Sequence, residues 1–106
     1  MKINILGTYY TIQYKKLGAE ETDGYCDYTS KEIVIRSDNE NGVNDFESLQ
    51  KKQLRHEIIH AYLSESGLQS NFEHANRWGH EETMIDWIAI QFPKMLKTFE
   101  KTGCLL

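Results

Sequence analysis

Apolar residues alternate with other residues along the first third of the chain. The alternating positions are Ile3, Ile5, Tyr10, Ile12 and Tyr14. Gly7-Thr8 interrupts this pattern after the second of them. Because successive side chains of a strand point to opposite faces, the period of two predicts a hairpin or one long bent strand.

Two further runs with strand character follow a polar loop at residues 17–23. They cover residues 25–28 and 32–36, and Thr29-Ser30-Lys31 separates them. We therefore expect a second hairpin, with Cys26 packed inside it. Residues 37–44 are rich in Asp, Asn and Gly, which predicts a loop.

The spacing of apolar residues becomes helical after this loop. One stripe of the predicted helix and the residues that widen it are Phe46, Leu49, Gln53, Leu54, His56, Ile58, His60, Ala61 and Leu63. Asn44 or Asp45 can cap its start, and Gly67 can end it.

A last long helix is predicted from residue 81 onwards. Its apolar positions are Met84, Ile85, Ile88, Ala89, Phe92, Leu96 and Phe99. Pro93 should kink or divide this helix, because proline has no N–H for the bond to residue i−4. Residues 71–78 predict short helical or irregular structure before it, and Trp78 and Trp87 are expected to pack the two long helices together. Strands followed by helices predict an α+β domain with a small N-terminal antiparallel β-sheet.

The composition is that of an ordinary globular chain, with 40% hydrophobic and 26% charged residues. Its length of 106 residues predicts a single domain over residues 1–106. The net charge of −4 argues against a nucleic-acid partner, because phosphate binding needs clustered Lys and Arg.

The chain also lacks the signals of export or membrane insertion. No apolar run approaches the roughly 20 residues that span a bilayer, and the first residues do not resemble a secretory signal. We therefore expect a cytoplasmic protein with no membrane partner. In that compartment Cys26 and Cys104 are expected to be free thiols.

The segment His56-Glu57-Ile58-Ile59-His60 carries the most specific chemistry in the chain. Residues i and i+4 of a helix share a face, with Cβ atoms roughly 5–6 Å apart, so both imidazoles can bind one Zn²⁺. The glutamate between them can reach the water on that metal. The apolar neighbours predict a buried helix with a polar cluster turned inward, rather than a solvated helix with a chance motif.

A catalytic zinc site needs a third protein ligand and one open position. Glu82 lies on the last predicted helix, with Asp86 one turn beyond it, so the two carboxylates share a face. We expect Glu82 to be the third ligand and Asp86 to accept the free ring N–H of a ligating histidine. Glu81 should point to solvent or to the helix N-terminus. His74 and His80 remain alternative third ligands or groups that stabilise an oxyanion.

These residues resemble those of the gluzincin-type metallopeptidases, which carry HExxH on one helix and an E-x-x-x-D pattern on a later one. His56, Glu57, His60, Glu82 and Asp86 match that pattern position for position. Residues 54–93 also look like small zinc peptidases encoded by phages and mobile elements, a resemblance that would place the protein in the cytoplasm of a host cell. It implies a zincin-like fold, with a motif helix and a C-terminal glutamate helix. The chain is far smaller than the large gluzincins, which add a second domain with substrate-binding groups.

The motif and the resemblance together predict a zinc-dependent endopeptidase that acts on a protein or peptide substrate. His56, His60 and Glu82 would bind zinc, and Glu57 would be the general base that activates the attacking water. The substrate would lie along an exposed edge strand, for which residues 32–37 are the candidate. Two alternatives stay open, a zinc-binding interaction module without turnover and a hydrolase of non-peptide amides. Cys104 on a free tail would be a further ligand in a latent form.

Overall fold

The computed structural model describes residues 1–19, 22–67 and 81–105. Within them, four strands precede two helices, which confirms the α+β class. The elements are β1 (Lys2–Ile5), β2 (Thr8–Lys15), β3 (Gly24–Asp27), β4 (Glu32–Arg36), α1 (Phe46–Glu65) and α2 (Glu82–Thr102). The segment at residues 71–78, and with it Trp78 and the two histidines His74 and His80, lies outside the described residues.

The first segment forms a hairpin, one of the two alternatives that its pattern allowed, and the second predicted hairpin forms as well. β1 and β2 are antiparallel and join through Leu6 and Gly7, whose φ angles of 51° and 94° suit a two-residue hairpin turn. The side chain of Asn4 accepts a hydrogen bond from the Gly7 N–H and fixes this turn. β3 and β4 are also antiparallel, and Asp27 accepts bonds from the backbone of the turn between them.

The four strands form a mixed sheet, so the prediction of an antiparallel sheet is wrong at one pairing. The strand order is β1-β2-β4-β3, and β2 runs parallel to β4. Alternation along each strand shows that hairpins exist, but it carries no information on how two hairpins join. As a result β3 is an edge strand and β4 lies inside the sheet, so the edge strand predicted at residues 32–37 is also wrong.

A buried arginine holds the connection between β2 and β3 against the end of the sheet. Arg36 is 2% exposed, and its guanidinium donates to Asp23, to Asp38 and to the carbonyl of Gly18. Asp38 also accepts from the N–H groups of Leu17 and Gly18. Burial raises the pKa of the Asp38 carboxyl, but these hydrogen bonds and the arginine charge outweigh it and lower the pKa to about 2.

The hydrophobic core lies between one face of the sheet and α1. Its buried residues are Ile5, Tyr10, Ile12, Ile33, Ile35 and Ala61. Leu54 and Ile58 of α1 pack against them. The helix begins where the sequence predicted, since Asp45 accepts from the Ser48 N–H at 3.2 Å, and Gly67 follows its last turn. α1 also contacts α2, so it presents one face to the sheet and another to the second helix.

α2 continues through Pro93 as one helix, so the predicted division does not occur. Pro93 leaves the carbonyl of Ala89 without its helical donor, and Arg55 of α1 supplies one, with Nε 2.6 Å from that oxygen. The buried residues of α2 are Ile85 and Ala89, whereas Trp87, which the sequence predicted to pack the two helices together, is 52% exposed. Neither helix of the described part of the chain is long and apolar enough to cross a membrane.

Candidate metal centre

α1 brings the three polar residues of the motif together in a largely buried place. His56 is 8% exposed and Glu57 is 4% exposed, and the two imidazole ring centroids lie 4.9 Å apart. One ligand atom from each of His56, Glu57 and His60 lies within 4.8 Å of the others. These three residues could therefore hold a metal ion.

Glu82, in the first turn of α2, joins the two histidines from the other helix. One carboxylate oxygen lies 3.1 Å from Nε2 of His56, and the other lies 2.8 Å from Nε2 of His60. Both rings thus present the same nitrogen to one carboxylate, although that carboxylate is itself 67% exposed. The structure brings the predicted third ligand to both predicted histidine ligands.

Asp86 contacts the other ring nitrogen of His56. Its Oδ1 lies 3.2 Å from Nδ1 of His56 and 3.0 Å from Nζ of Lys52. Burial raises the pKa of the Asp86 carboxyl, but Lys52 and His56 outweigh this effect and lower it. An ionised carboxylate can only accept, so Asp86 favours a proton on Nδ1 of His56, the tautomer in which Nε2, the nitrogen that faces Glu82, would be able to bind a metal.

Glu81 does not join this cluster. It is the N-cap of α2, and its carboxylate accepts from the N–H groups of Thr83 at 3.1 Å and Met84 at 2.7 Å. This is the helix N-terminus to which the sequence assigned it. The alternatives His74 and His80 lie outside the described residues.

Glu57 accepts a hydrogen bond from its own helix, where Gln53 donates from Nε2 to its Oε2 at 2.6 Å. Burial raises the pKa of the Glu57 carboxyl, the bond from Gln53 and the nearby His56 oppose that shift, and the charge of Glu82 adds to it. Sequence reasoning assigned no function to Gln53 or Lys52. Gln53 lies four residues before Glu57, and Lys52 lies four residues before His56. Because residues i and i+4 of a helix share a face, this spacing could have indicated that both lie beside the motif.

The donor set fits zinc. Two imidazole nitrogens and a carboxylate are common zinc ligands, and bonds of 2.0–2.1 Å place the atoms of a tetrahedral set about 3.3 Å apart. The two contacts of Glu82 to the histidines, at 2.8 and 3.1 Å, need only small adjustments to reach that spacing. By distance alone, either Glu57 or Glu82 can complete the set.

Neither cysteine belongs to this centre, and both are free thiols. Cys26 lies on β3, where burial, with the charge of Glu57 as the next cause, raises the pKa of the thiol to about 12. It is therefore protonated at neutral pH and a poor ligand. Cys104 follows the far end of α2, roughly 30 Å from Glu82 at 1.5 Å per residue, so it does not reach the candidate centre in this structure.

Comparisons with protein-family models, with curated proteins and with solved structures give no match.

Proposed function

We propose that this protein is a zinc-dependent endopeptidase of the gluzincin type, acting in the cytoplasm. The observation that carries the proposal is the convergence of both histidine Nε2 atoms on Glu82 of a second helix, beside the buried Glu57. A chance HExxH helix has no reason to meet a carboxylate that contacts both histidines. A purely structural zinc site, in turn, is usually closed by four protein ligands.

The residues divide into those that hold the metal and one that moves protons. His56, His60 and Glu82 would hold zinc, and Asp86, through its contact with Nδ1, would orient the His56 ring so that Nε2 could bind. Zinc would supply Lewis acidity and lower the pKa of a bound water to about 7. Glu57 would accept a proton as water attacks the peptide carbonyl and then give that proton to the leaving amine.

The edge strand β3 is the place where an extended peptide could bind. In the described part of the chain β3 pairs with β4 on one side only, and it also contacts α1, which carries the motif. Backbone groups on the open side of an edge strand can bind a peptide in extended conformation. We therefore propose β3, residues Gly24–Asp27, as the strand along which the substrate would lie, instead of the interior strand β4.

Glu57→Gln tests the activity, with Glu47→Gln as a matched control. Glu47 lies on the same helix but is exposed, and it pairs with Lys51. All three proteins should bind about one zinc per chain, measured by mass spectrometry after purification without added metal. The parent and the control should cleave members of a proteome-derived peptide library, whereas Glu57→Gln should be at least about 10²-fold slower, because it lacks the general base.

The outcomes separate the alternatives. Cleavage by Glu57→Gln at the parent rate would make the mechanism wrong. A parent that binds zinc but cleaves no peptide would favour the interaction module. A parent that binds no zinc at neutral pH would refute the whole proposal.

A further inference from the structure

Two carboxylates lie close enough to the histidines to bind the same metal. Glu82 contacts both Nε2 atoms, and the Glu57 carboxylate lies within 4.8 Å of a ligand atom of each histidine. The proposed function, on which this inference rests, needs them in different roles. A carboxylate that occupies a position on the metal cannot at the same time lie beside a water on that metal and take its proton. Some contact must therefore hold Glu57 back from the metal.

Gln53 makes that contact. It lies one helical turn before Glu57, and its amide Nε2 donates to Glu57 Oε2 at 2.6 Å. Because Glu57 is only 4% exposed, water competes little for this bond, and a bond from an N–H donor to a carboxylate is among the stronger hydrogen bonds in proteins. With Oε2 held in this way, Oε1 is the oxygen left to face an attacking water.

The edge strand in turn holds Gln53. A Cβ atom on Gly24 of β3 would lie 3.2 Å from Cγ of Gln53 and 2.7 Å from the carbonyl oxygen of Val34. The backbone carbonyl of Val34 excludes a side chain at position 24, and the 3.2 Å approach shows that the stem of Gln53 lies against β3 there. The position of the Glu57 carboxylate is thus linked through Gln53 to β3, the strand proposed to bind the peptide.

We propose that Gln53 is a positioning residue that keeps Glu57 out of the metal's ligand set and directs its free oxygen to the water. Gln53 contacts neither histidine in the described hydrogen bonds, so it acts through Glu57. Removal of its amide should release the Glu57 carboxylate toward the metal.

The test compares Gln53→Met with Gln50→Met in cobalt-loaded protein. Both changes replace a glutamine of α1 by a side chain of similar length without a donor, but Gln50 donates to the Arg36 carbonyl and not to Glu57. Gln53→Met should shift the visible absorption of cobalt toward that of a site with one more oxygen ligand. Gln50→Met should keep the parent spectrum. Gln53→Ala serves for the same comparison if methionine disturbs the packing on Gly24.

Dependence on Glu57 separates positioning from a general structural effect. In a Glu57→Ala background, Gln53→Met should leave the cobalt spectrum unchanged, because the carboxylate that would move is gone. In zinc-loaded protein that keeps Glu57, Gln53→Met alone should lower kcat for library peptides by at least about tenfold and leave KM unchanged.

Three results would overturn the inference. If Gln53→Met matches Gln50→Met in both spectrum and kcat, Gln53 has no positioning role, although the proposed function stands. A spectral shift that persists without Glu57 would likewise exclude action through that residue. A parent that takes up no metal would overturn this inference together with the proposed function.

Discussion

His56 lies between two carboxylates, and each contacts a different ring nitrogen. Asp86 contacts Nδ1 and Glu82 contacts Nε2. Lys52 shares the same Asp86 oxygen, which favours the ionised carboxylate and therefore the tautomer with a proton on Nδ1. Asp86 is thus the carboxylate that orients the ring, and Glu82 is the carboxylate that can bind a metal together with Nε2.

Glu82→Ala should weaken zinc binding by more than about 100-fold, because loss of a ligand exceeds the 10–100-fold cost of losing an outer contact. Glu81→Ala is the matched control, since Glu81 caps α2 through Thr83 and Met84 and contacts neither histidine in the described hydrogen bonds. It should lower the melting midpoint slightly and leave zinc affinity near that of the parent. Competition titration with a chromophoric chelator measures the zinc affinity of both variants, and X-ray absorption counts the zinc ligands.

If Glu81→Ala weakened zinc binding strongly and Glu82→Ala did not, the third ligand would be Glu81. Asp86 would then no longer lie one helical turn after that ligand. Equal and small losses in both variants would instead mean that neither glutamate is the third ligand. Glu57 would then be the remaining carboxylate of the group that could hold a metal.

At the scale of elements, Arg55 and Pro93 fix how α2 lies on α1. Pro93 removes the helical donor to the Ala89 carbonyl, and Arg55 replaces it from the neighbouring helix. This bond joins the helices along the same interface as the contacts of Asp86 and Glu82 with α1. The proline therefore leaves an acceptor whose bond to Arg55 joins the two helices beside the candidate metal centre.

Arg55→Met should lower the free energy of unfolding by about 1–3 kcal/mol, the usual cost of a buried acceptor left without a donor. In a Pro93→Ala background the same change should cost clearly less, because the N–H of residue 93 can then donate to Ala89. Urea unfolding of the four metal-free proteins measures this difference. An equal cost in both backgrounds would show that Arg55 stabilises the fold by another route.

At the scale of the molecule, the sheet and α1 share the apolar core, whereas α2, in the part of the chain that the structure describes, packs mainly on α1. The buried residues of α2 are only Ile85 and Ala89, and many of its other contacts to α1 are polar. A metal held by ligands from both helices would therefore strengthen the attachment of α2 most.

Zinc should raise the melting midpoint, and removal of zinc by a chelator should lower it. A ligand that binds only the folded state at 100 times its Kd contributes about 2.7 kcal/mol. Differential scanning fluorimetry with and without chelator measures the midpoint, and hydrogen exchange should slow more in α2 than in the sheet. Glu82→Ala should show little response to zinc. A parent midpoint that is unchanged by the chelator would mean that no metal joins the two helices.

The sequence by itself determined the features that depend on spacing along one element. Alternation predicted the strands of both hairpins, although it left a long bent strand open for the first, and the candidate caps Asn44 or Asp45 and Gly67 marked the ends of α1. The i, i+4 spacing within each helix predicted that His56 and His60 share one face and that Glu82 and Asp86 share another. Local geometry suffices in these cases, because the backbone of a helix or strand fixes where its near neighbours point. The identity of the metal and the peptidase activity stay predictions.

Tertiary structure alone decided what meets across the chain. The parallel pairing of β2 with β4 places β3 at the edge of the sheet. Arg36, at the end of β4, is buried and binds Asp23 in the connection that precedes β3. The contact of Arg55 with the Ala89 carbonyl and the exposure of Trp87 follow from how α2 docks on α1. Such contacts join residues that no periodicity relates, because they depend on the free energy of packing whole elements together rather than on the direction of successive side chains.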